Sequence, residues 1–240
     1  MVDGKFLKIK PYQHKLPVIY GVDYLTHDIP TYLLARSESY QSCVTFFTSL
    51  RLLNYPLKGL VCDDNQNIFR ACRQIYPKVV VQICTNHYKE SLRAKLQVRT
   101  DPTYRFFMKQ LEIVFKQRRS QKDVQKRMGD ILTSYQNDPI CLSVITDIYQ
   151  RRKQLFANLE LKGIPATNNL IECFNSHLQG RLKTIKSFQS FNHAKLWLNA
   201  YFIRRRIKIF TDCRGKFKKL NGSSSLEKSK KLDIDIPSFF

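Results

Sequence analysis

The strongest constraint on the fold is a change of hydrophobic period inside residues 57–87, LKGLVCDDNQNIFRACRQIYPKVVVQICTNH. Leu60, Val61 and Cys62 form a short apolar run that stops on two carboxylates, Asp63 and Asp64, as a buried strand does when it reaches a polar loop. From Asn65 the period lengthens: Ile68, Ala71, Cys72 and Ile75 recur on one helical face, and Pro77 closes the helix. Val79, Val80, Val81 and Ile83 then give a second β-branched run. Strand, helix and strand in this order make a parallel crossover unit. In such sheets ligands and reactive groups gather beyond the carboxyl ends of the strands. Asp63 and the pair Cys84 and His87 lie at those ends.

Upstream, Leu7 and Ile9 alternate with Lys8 and Lys10, which predicts a strand beginning near Val2. Residues 18–24 and 31–35 are two more β-rich runs separated by turn residues, so an antiparallel three-stranded meander is expected. Ser37 or Ser39 can cap a following helix with the apolar stripe Tyr40, Val44, Phe47 and Leu50. The expected fold class is α/β, with three antiparallel and two parallel strands in one mixed five-stranded sheet flanked by helices. Residues 1–87 would hold the strands. Residues 88–163 lose the β pattern and read as an all-helical insertion, in which Phe107, Leu111, Val114 and Phe115 share one side of a basic helix. Residues 164–211 return as helices of the core, and residues 212–240, rich in Lys, Ser and Gly, are expected to form a basic mobile tail.

Charge narrows the partner. Lys and Arg number 41 against 19 Asp and Glu, and the net charge of +22 points to a polyanion, most commonly nucleic acid. A ribosome-like or membrane-surface protein would also be basic, but neither accounts for scarce acids placed at strand ends. The seven cysteines are irregularly spaced and several fall inside apolar runs, the pattern of reduced buried thiols in an intracellular protein rather than of a disulfide framework. No apolar run approaches the roughly 20 residues that span a bilayer, and no secretory signal layout is present, so no membrane partner is expected.

Three acids are candidates for chemistry: Asp3 on the first strand, Asp63 at the end of the fourth, and Glu172 in the first turns of the helix after the insertion. Carboxylates converging on one point repel unless cations lie between them, which implies Mg²⁺ or Mn²⁺ on hard oxygen ligands. Each has a structural alternative. Asp3 can be an ordinary terminal residue, and Glu172 with Asn169 matches a helix capping box. Asp64, directly ahead of Asn65 and the helix, reads as a cap, whereas Asp63 continues the strand. Leu170, Phe174, Leu178 and Leu182 are expected to face the core, leaving Glu172, Asn175, Gln179 and Lys183 on a side that reads substrate or faces solvent. Cys84-x-x-His87 is half of a zinc pattern without a second pair, so a structural zinc site is not expected.

Three blocks, VDGKFLKIK, GLVCDDNQNIFRACRQIYPKVVVQICTNH and PATNNLIECFNSHLQGRLKTIKSF, together resemble the signature regions of DDE transposases of the Mutator-like and related bacterial insertion-sequence kind. The resemblance covers about residues 2–210 and maps the family's pattern onto Asp3, Asp63, Cys84 with His87, and Glu172 with Asn168, Asn169 and Asn175. It implies an RNase H-like catalytic domain, two Mg²⁺ or Mn²⁺ ions held by Asp3, Asp63 and Glu172, and in-line displacement at phosphorus. Cys84 and His87 would neighbour that site, His87 either contacting DNA or a metal-bound phosphate, or serving structure alone. Double-stranded DNA, as transposon ends and target, is the implied partner. A homodimer or higher oligomer is the implied state of the full-length protein, associated with DNA in the cytoplasm or nucleoid of a prokaryote or in a eukaryotic nucleus.

Arg181, Lys183 and Lys186, just beyond Glu172, and Arg204, Arg205 and Arg206 are the expected phosphate contacts. Relatives in the resembling family carry a DNA-recognition region ahead of the first acid, whereas only Met1 and Val2 precede Asp3, so a shortened copy with weak end-specific cleavage is expected. The sequence leaves three functions to separate: a transposase catalytic domain, an inactive DNA-binding derivative of one, and an RNase H-like nuclease without strand transfer.

Overall fold

The computed structural model describes residues 1–116 and 119–229. The first elements are strands β1 (Val2–Leu7), β2 (Leu16–Gly21) and β3 (Tyr32–Leu34), followed by helix α1 (Tyr40–Leu52). Ser39 caps α1, its side chain accepting from the Ser42 backbone N–H, which satisfies one of the orphan donors of the first turn. The buried stripe of α1 is Cys43, Phe46, Phe47 and Leu50. It is turned from the expected one, with Tyr40 and Val44 only half-buried, because the bulky neighbours Phe46 and Phe47 both enter the core.

The crossover unit forms as strand β4 (Gly59–Cys62), helix α2 (Gln66–Ile75) and strand β5 (Val80–Ile83). β4 and β5 are parallel, with Cys62 opposite Ile83. Helices α3 (Thr85–Lys95), α4 (Arg105–Val114), α5 (Gln121–Tyr135), α6 (Pro139–Leu155) and α7 (Ala157–Glu160) follow. Asp138 opens α6, accepting from the Ile140 and Cys141 N–H groups, with Pro139 in the first turn where no N–H is needed. The long helices α8 (Asn169–Ile185) and α9 (Phe191–Ile207) come next, then a 3-10 turn at Gly215–Leu220 and the short helix α10 (Ser225–Ser229).

The molecule is thus mixed α/β, and the five expected strands are all present. They divide into two sheets, β1-β2-β3 antiparallel and β4-β5 parallel, where the sequence suggested one. Local alternation reveals a strand, but the partner of each outer edge is a long-range choice that local pattern does not carry. The chain falls into two compact units: the first comprises Met1–Pro56, Asn67–Pro77 and Asn169–Phe240, the second Leu57–Gln66 and Lys78–Asn168. The crossover helix is therefore grouped with the first unit and its two strands with the second.

In the first unit the antiparallel sheet packs with α1 and α8, around Leu16, Val18, Ile19, Phe46, Phe47, Leu178 and Leu198. Residues 213–229, expected within a mobile tail, are built into this unit. Leu220, Ser224 and Ser225 are buried, and the Ser225 and Ser229 hydroxyls donate to Asp28 at 3.3 and 2.7 Å. The rest of that expected tail, residues 230–240, lies outside the described residues. In the second unit Leu111, Val144, Ile145, Ile148 and Leu155 of the helices are buried, and α6 and α7 pack on β5. No helix among the described residues is long and apolar enough to cross a membrane.

Candidate active site

In the second unit the parallel ladder fixes the first acid. The Cys84 N–H donates to the Cys62 carbonyl at 2.9 Å, extending the β4-β5 pairing by one step, so Asp63 and Cys84 leave neighbouring strand ends together. α3 starts at once, and within its first turn the His87 imidazole lies with Nδ1 3.2 Å from Asp63 Oδ2.

Asn168 reaches the same acid from the far end of the unit. Its segment lies close against β4: a Cβ at Gly59 would come within 2.8 Å of the Ile164 Cδ1 methyl, so a larger residue there would make Ile164 shift. The Thr85 N–H and hydroxyl both bond the Ala166 carbonyl, at 2.9 and 3.2 Å. Thus held, Asn168 is fully buried; its Nδ2 donates to Asp63 Oδ1 at 2.8 Å, and its Oδ1 accepts from the Cys84 thiol at 3.0 Å. Burial pushes the Cys84 thiol up from its ordinary pKa, and Asp63 adds to that, so at neutral pH it remains a donor. Asp64 takes a different part from the expected cap: its carboxylate receives the Arg151 guanidinium of α6.

In the first unit Asp3 lies on β1 opposite Tyr20 of β2. Its Oδ1 accepts from the Gly4 N–H at 2.7 Å and its Oδ2 from Asn175 Nδ2 at 2.5 Å. Asn175 Oδ1 in turn accepts from the Tyr20 hydroxyl at 2.7 Å. Burial, then Tyr201 and Asp3, push the Tyr20 phenol up, which keeps its proton on the bond to Asn175. The expectation that Asn175 lies on a polar side of α8 is corrected by its burial beside Ile171, Phe174, Leu178 and Leu182. A polar residue on the core side is accommodated because Asp3 and Tyr20 satisfy both ends of its amide. Leu170 gives its expected core place to Ile171. Glu172, half-buried in the first turn of α8, stands three residues before Asn175. Asn169 is the first residue of that helix and is exposed.

The expected phosphate contacts separate by environment. Arg181, Lys183, Lys186 and Arg204 are exposed. Arg205 lies over the Phe174 ring, 4.5 Å from its centroid. Arg206 donates from Nε and Nη2 to the two oxygens of Asp28 at 2.8 and 2.9 Å, and Asp28 is only 1% exposed. This bidentate pair satisfies the Asp28 charge inside the fold, so Arg206 joins α9 to the β2-β3 connection rather than offering its fork to a ligand.

A divalent ion can be tested against these donors. Asp63, Cys84 and His87 offer ligand atoms within 4.8 Å of one another, three donors of mixed kind where a closed structural zinc site takes four. Asp63, with 37% of its side chain exposed, and the carboxylates of Asp3 and Glu172 are oxygen donors of the kind that Mg²⁺ and Mn²⁺ take. Tyr20 was missed in the sequence: a tyrosine within the run VIYGV carries no mark of a polar task.

The family model for transposases of the Mutator family matches residues 18–201. The match takes in Asp63, Cys84, His87, Asn168, Glu172 and Asn175 and begins after Asp3. No curated protein matches the chain. With more than half of its length matched, the chain belongs to the Mutator family of transposases.

Proposed function

We propose that this chain cleaves DNA strands and transfers them, with Asp3, Asp63 and Glu172 as the acids that hold two Mg²⁺ or Mn²⁺ ions. The observation that carries the reading is the treatment of the two aspartates. Each follows or lies on a strand, and each accepts from the side-chain amide of a buried asparagine, Asn168 for Asp63 and Asn175 for Asp3. A carboxylate that only balanced surface charge would have no use for a buried amide fixed on it. A metal-binding carboxylate does, because hydrogen bonds to its oxygens set its orientation. The element order, three antiparallel strands and then a parallel crossover, agrees with an RNase H-like core.

When bound, divalent ions supply Lewis-acid stabilisation of charge at phosphorus and a more acidic water. The protein's part is positional. Asn168 and His87 hold the two oxygens of Asp63, Asn175 and the Gly4 N–H hold those of Asp3, and Glu172 adds the third charge. The excess of +22 supplies the attraction for the DNA backbone, with Arg181, Lys183, Lys186 and Arg204 as exposed contacts. Two or more copies acting together at two DNA ends agree with this chemistry.

The test is an incubation of labelled duplex carrying a free 3′-hydroxyl with unlabelled circular DNA, in Mg²⁺ or Mn²⁺. Nicked and joined products are expected. Nicking without joining would make the chain a nuclease, and binding without nicking would make it an inactive DNA-binding relative.

A further inference from the structure

A groove of about 230 Å³ opens in the first unit where β1 ends beside the last turn of α8. Lys8, Lys15, Lys183 and Lys186 line it together with Phe6, and no carboxylate lines it. All four lysines are exposed, and none of them forms an ion pair among the described residues. Like charges gathered around one concavity without counter-ions raise the local potential for an anion. The walls are also fixed. Ile9 and Phe188 form a parallel bridge, with the Phe188 N–H on the Lys8 carbonyl and the Lys10 N–H on the Phe188 carbonyl, both at 2.9 Å.

Phe6 decides the kind of anion. Its ring is 45% exposed, an apolar face set among cations. A single exposed aromatic on an ordinary surface needs no explanation, but inside a lysine groove it supplies what a phosphate alone does not use. The geometry points to an unpaired DNA strand as the occupant, with the lysines on successive phosphates and a base stacked on Phe6. A duplex keeps its base faces stacked on one another and would engage the lysines alone. Of these residues the sequence pattern singled out only Lys183 and Lys186 for DNA. This inference rests on the reading that the chain works on DNA and adds a site for a separated strand.

The test is fluorescence anisotropy of the full chain with a short single-stranded oligodeoxynucleotide and with its duplex, over a range of salt. The quadruple variant K8Q/K15Q/K183Q/K186Q is expected to weaken single-strand binding by about tenfold or more and to flatten its salt dependence. A control of equal charge loss, K122Q/K126Q/K218Q/K219Q, is expected to weaken it much less. Phe6→Ala is expected to lower single-strand affinity by about five- to hundredfold and leave duplex affinity unchanged, while Phe6→Tyr keeps the ring and the affinity. Circular dichroism verifies that each variant is folded, which the exposure of these side chains favours. Equal weakening by the groove and control variants, or a Phe6→Ala chain that binds single strands as the parent does, overturns the groove while leaving DNA binding intact. A parent that binds neither form of DNA overturns both this inference and the proposed function.

Discussion

In the first unit a phenol stands behind the asparagine that holds Asp3, and in the second a thiol stands behind the asparagine that holds Asp63: Tyr20 to Asn175 to Asp3, and Cys84 to Asn168 to Asp63. The logic is shared. An ionised carboxylate only accepts, so each amide must turn its nitrogen to the acid and its oxygen to the O–H or S–H behind it. The outer donor thereby fixes the amide, and the amide fixes the carboxylate. The difference lies in strength. A phenol is a full donor and a thiol a weak one, and at the weaker relay the His87 imidazole stands against the second Asp63 oxygen. At Asp3 the second oxygen takes a backbone N–H instead. Two unlike sets of side chains thus reach one result, two oxygens held on each acid.

The largest effect is expected from the acids. Asp3→Asn and Asp63→Asn keep shape and remove charge, and each should bring metal-dependent nicking of supercoiled DNA below detection, while the lost hydrogen bond lowers stability by only about 1–3 kcal/mol and the chain stays folded. Nicking that survives one change but not the other would break the equivalence of the two sites.

Next come the asparagines. Asn168→Ala and Asn175→Ala leave all three acids in place but each removes one of the two groups that hold an aspartate, and each should cost about 10- to 100-fold in metal affinity or nicking rate, as losses of orienting groups around metal ligands do. Comparable losses would sharpen the comparison, whereas a loss confined to Asn175→Ala would mean that His87 alone holds Asp63.

The outer donors should matter mainly to stability. Tyr20→Phe strands the oxygen of buried Asn175 and should cost about 1–3 kcal/mol in denaturant unfolding, while Cys84→Ser, which keeps a donor, should cost less than about 1 kcal/mol. A larger cost at Cys84 would reverse the ranking of phenol and thiol.

The smallest effect concerns His27, set against His87. His27, 8% exposed, lies against Phe174, Phe210 and Phe217. Burial lowers its pKa below the usual 6.5, Asp23 opposing and Arg205 assisting. The unfolded chain therefore takes up this proton first as pH falls, and the contribution of His27 to stability, present above about 6.5, is lost below it. Melting temperatures at pH 7.5 and 5.5 should separate further in the parent than in His27→Asn, a residue that tolerates the positive φ found there. His87, with 46% of its side chain exposed, suffers no comparable burial.

Much of this was legible in the sequence where local pattern carries it. The strand-acid-helix-strand order placed Asp63, Cys84 and His87 at the ends of β4 and β5. The spacing of α8 found Phe174, Leu178 and Leu182 in the core. What escaped depends on distant residues. Asn175 looked like part of a solvated face because nothing near it in the chain announces Asp3 and Tyr20, its partners across 172 and 155 residues. Arg206 looked like a free cation until Asp28, 178 residues away, took both of its donors. The pairing of strands into two sheets was hidden for the same reason.

The central claim is that Asp3, Asp63 and Glu172 hold divalent ions, and the most direct measurement is a titration of the full chain with Mn²⁺, free ion read by electron paramagnetic resonance, for the parent and for Glu172→Gln. Gln keeps the shape and can still serve a helix terminus, so a capping role predicts no change. The account predicts saturable binding in the parent and loss of at least one ion in the variant, with the fold intact. Equal stoichiometry and affinity in the two proteins would contradict it.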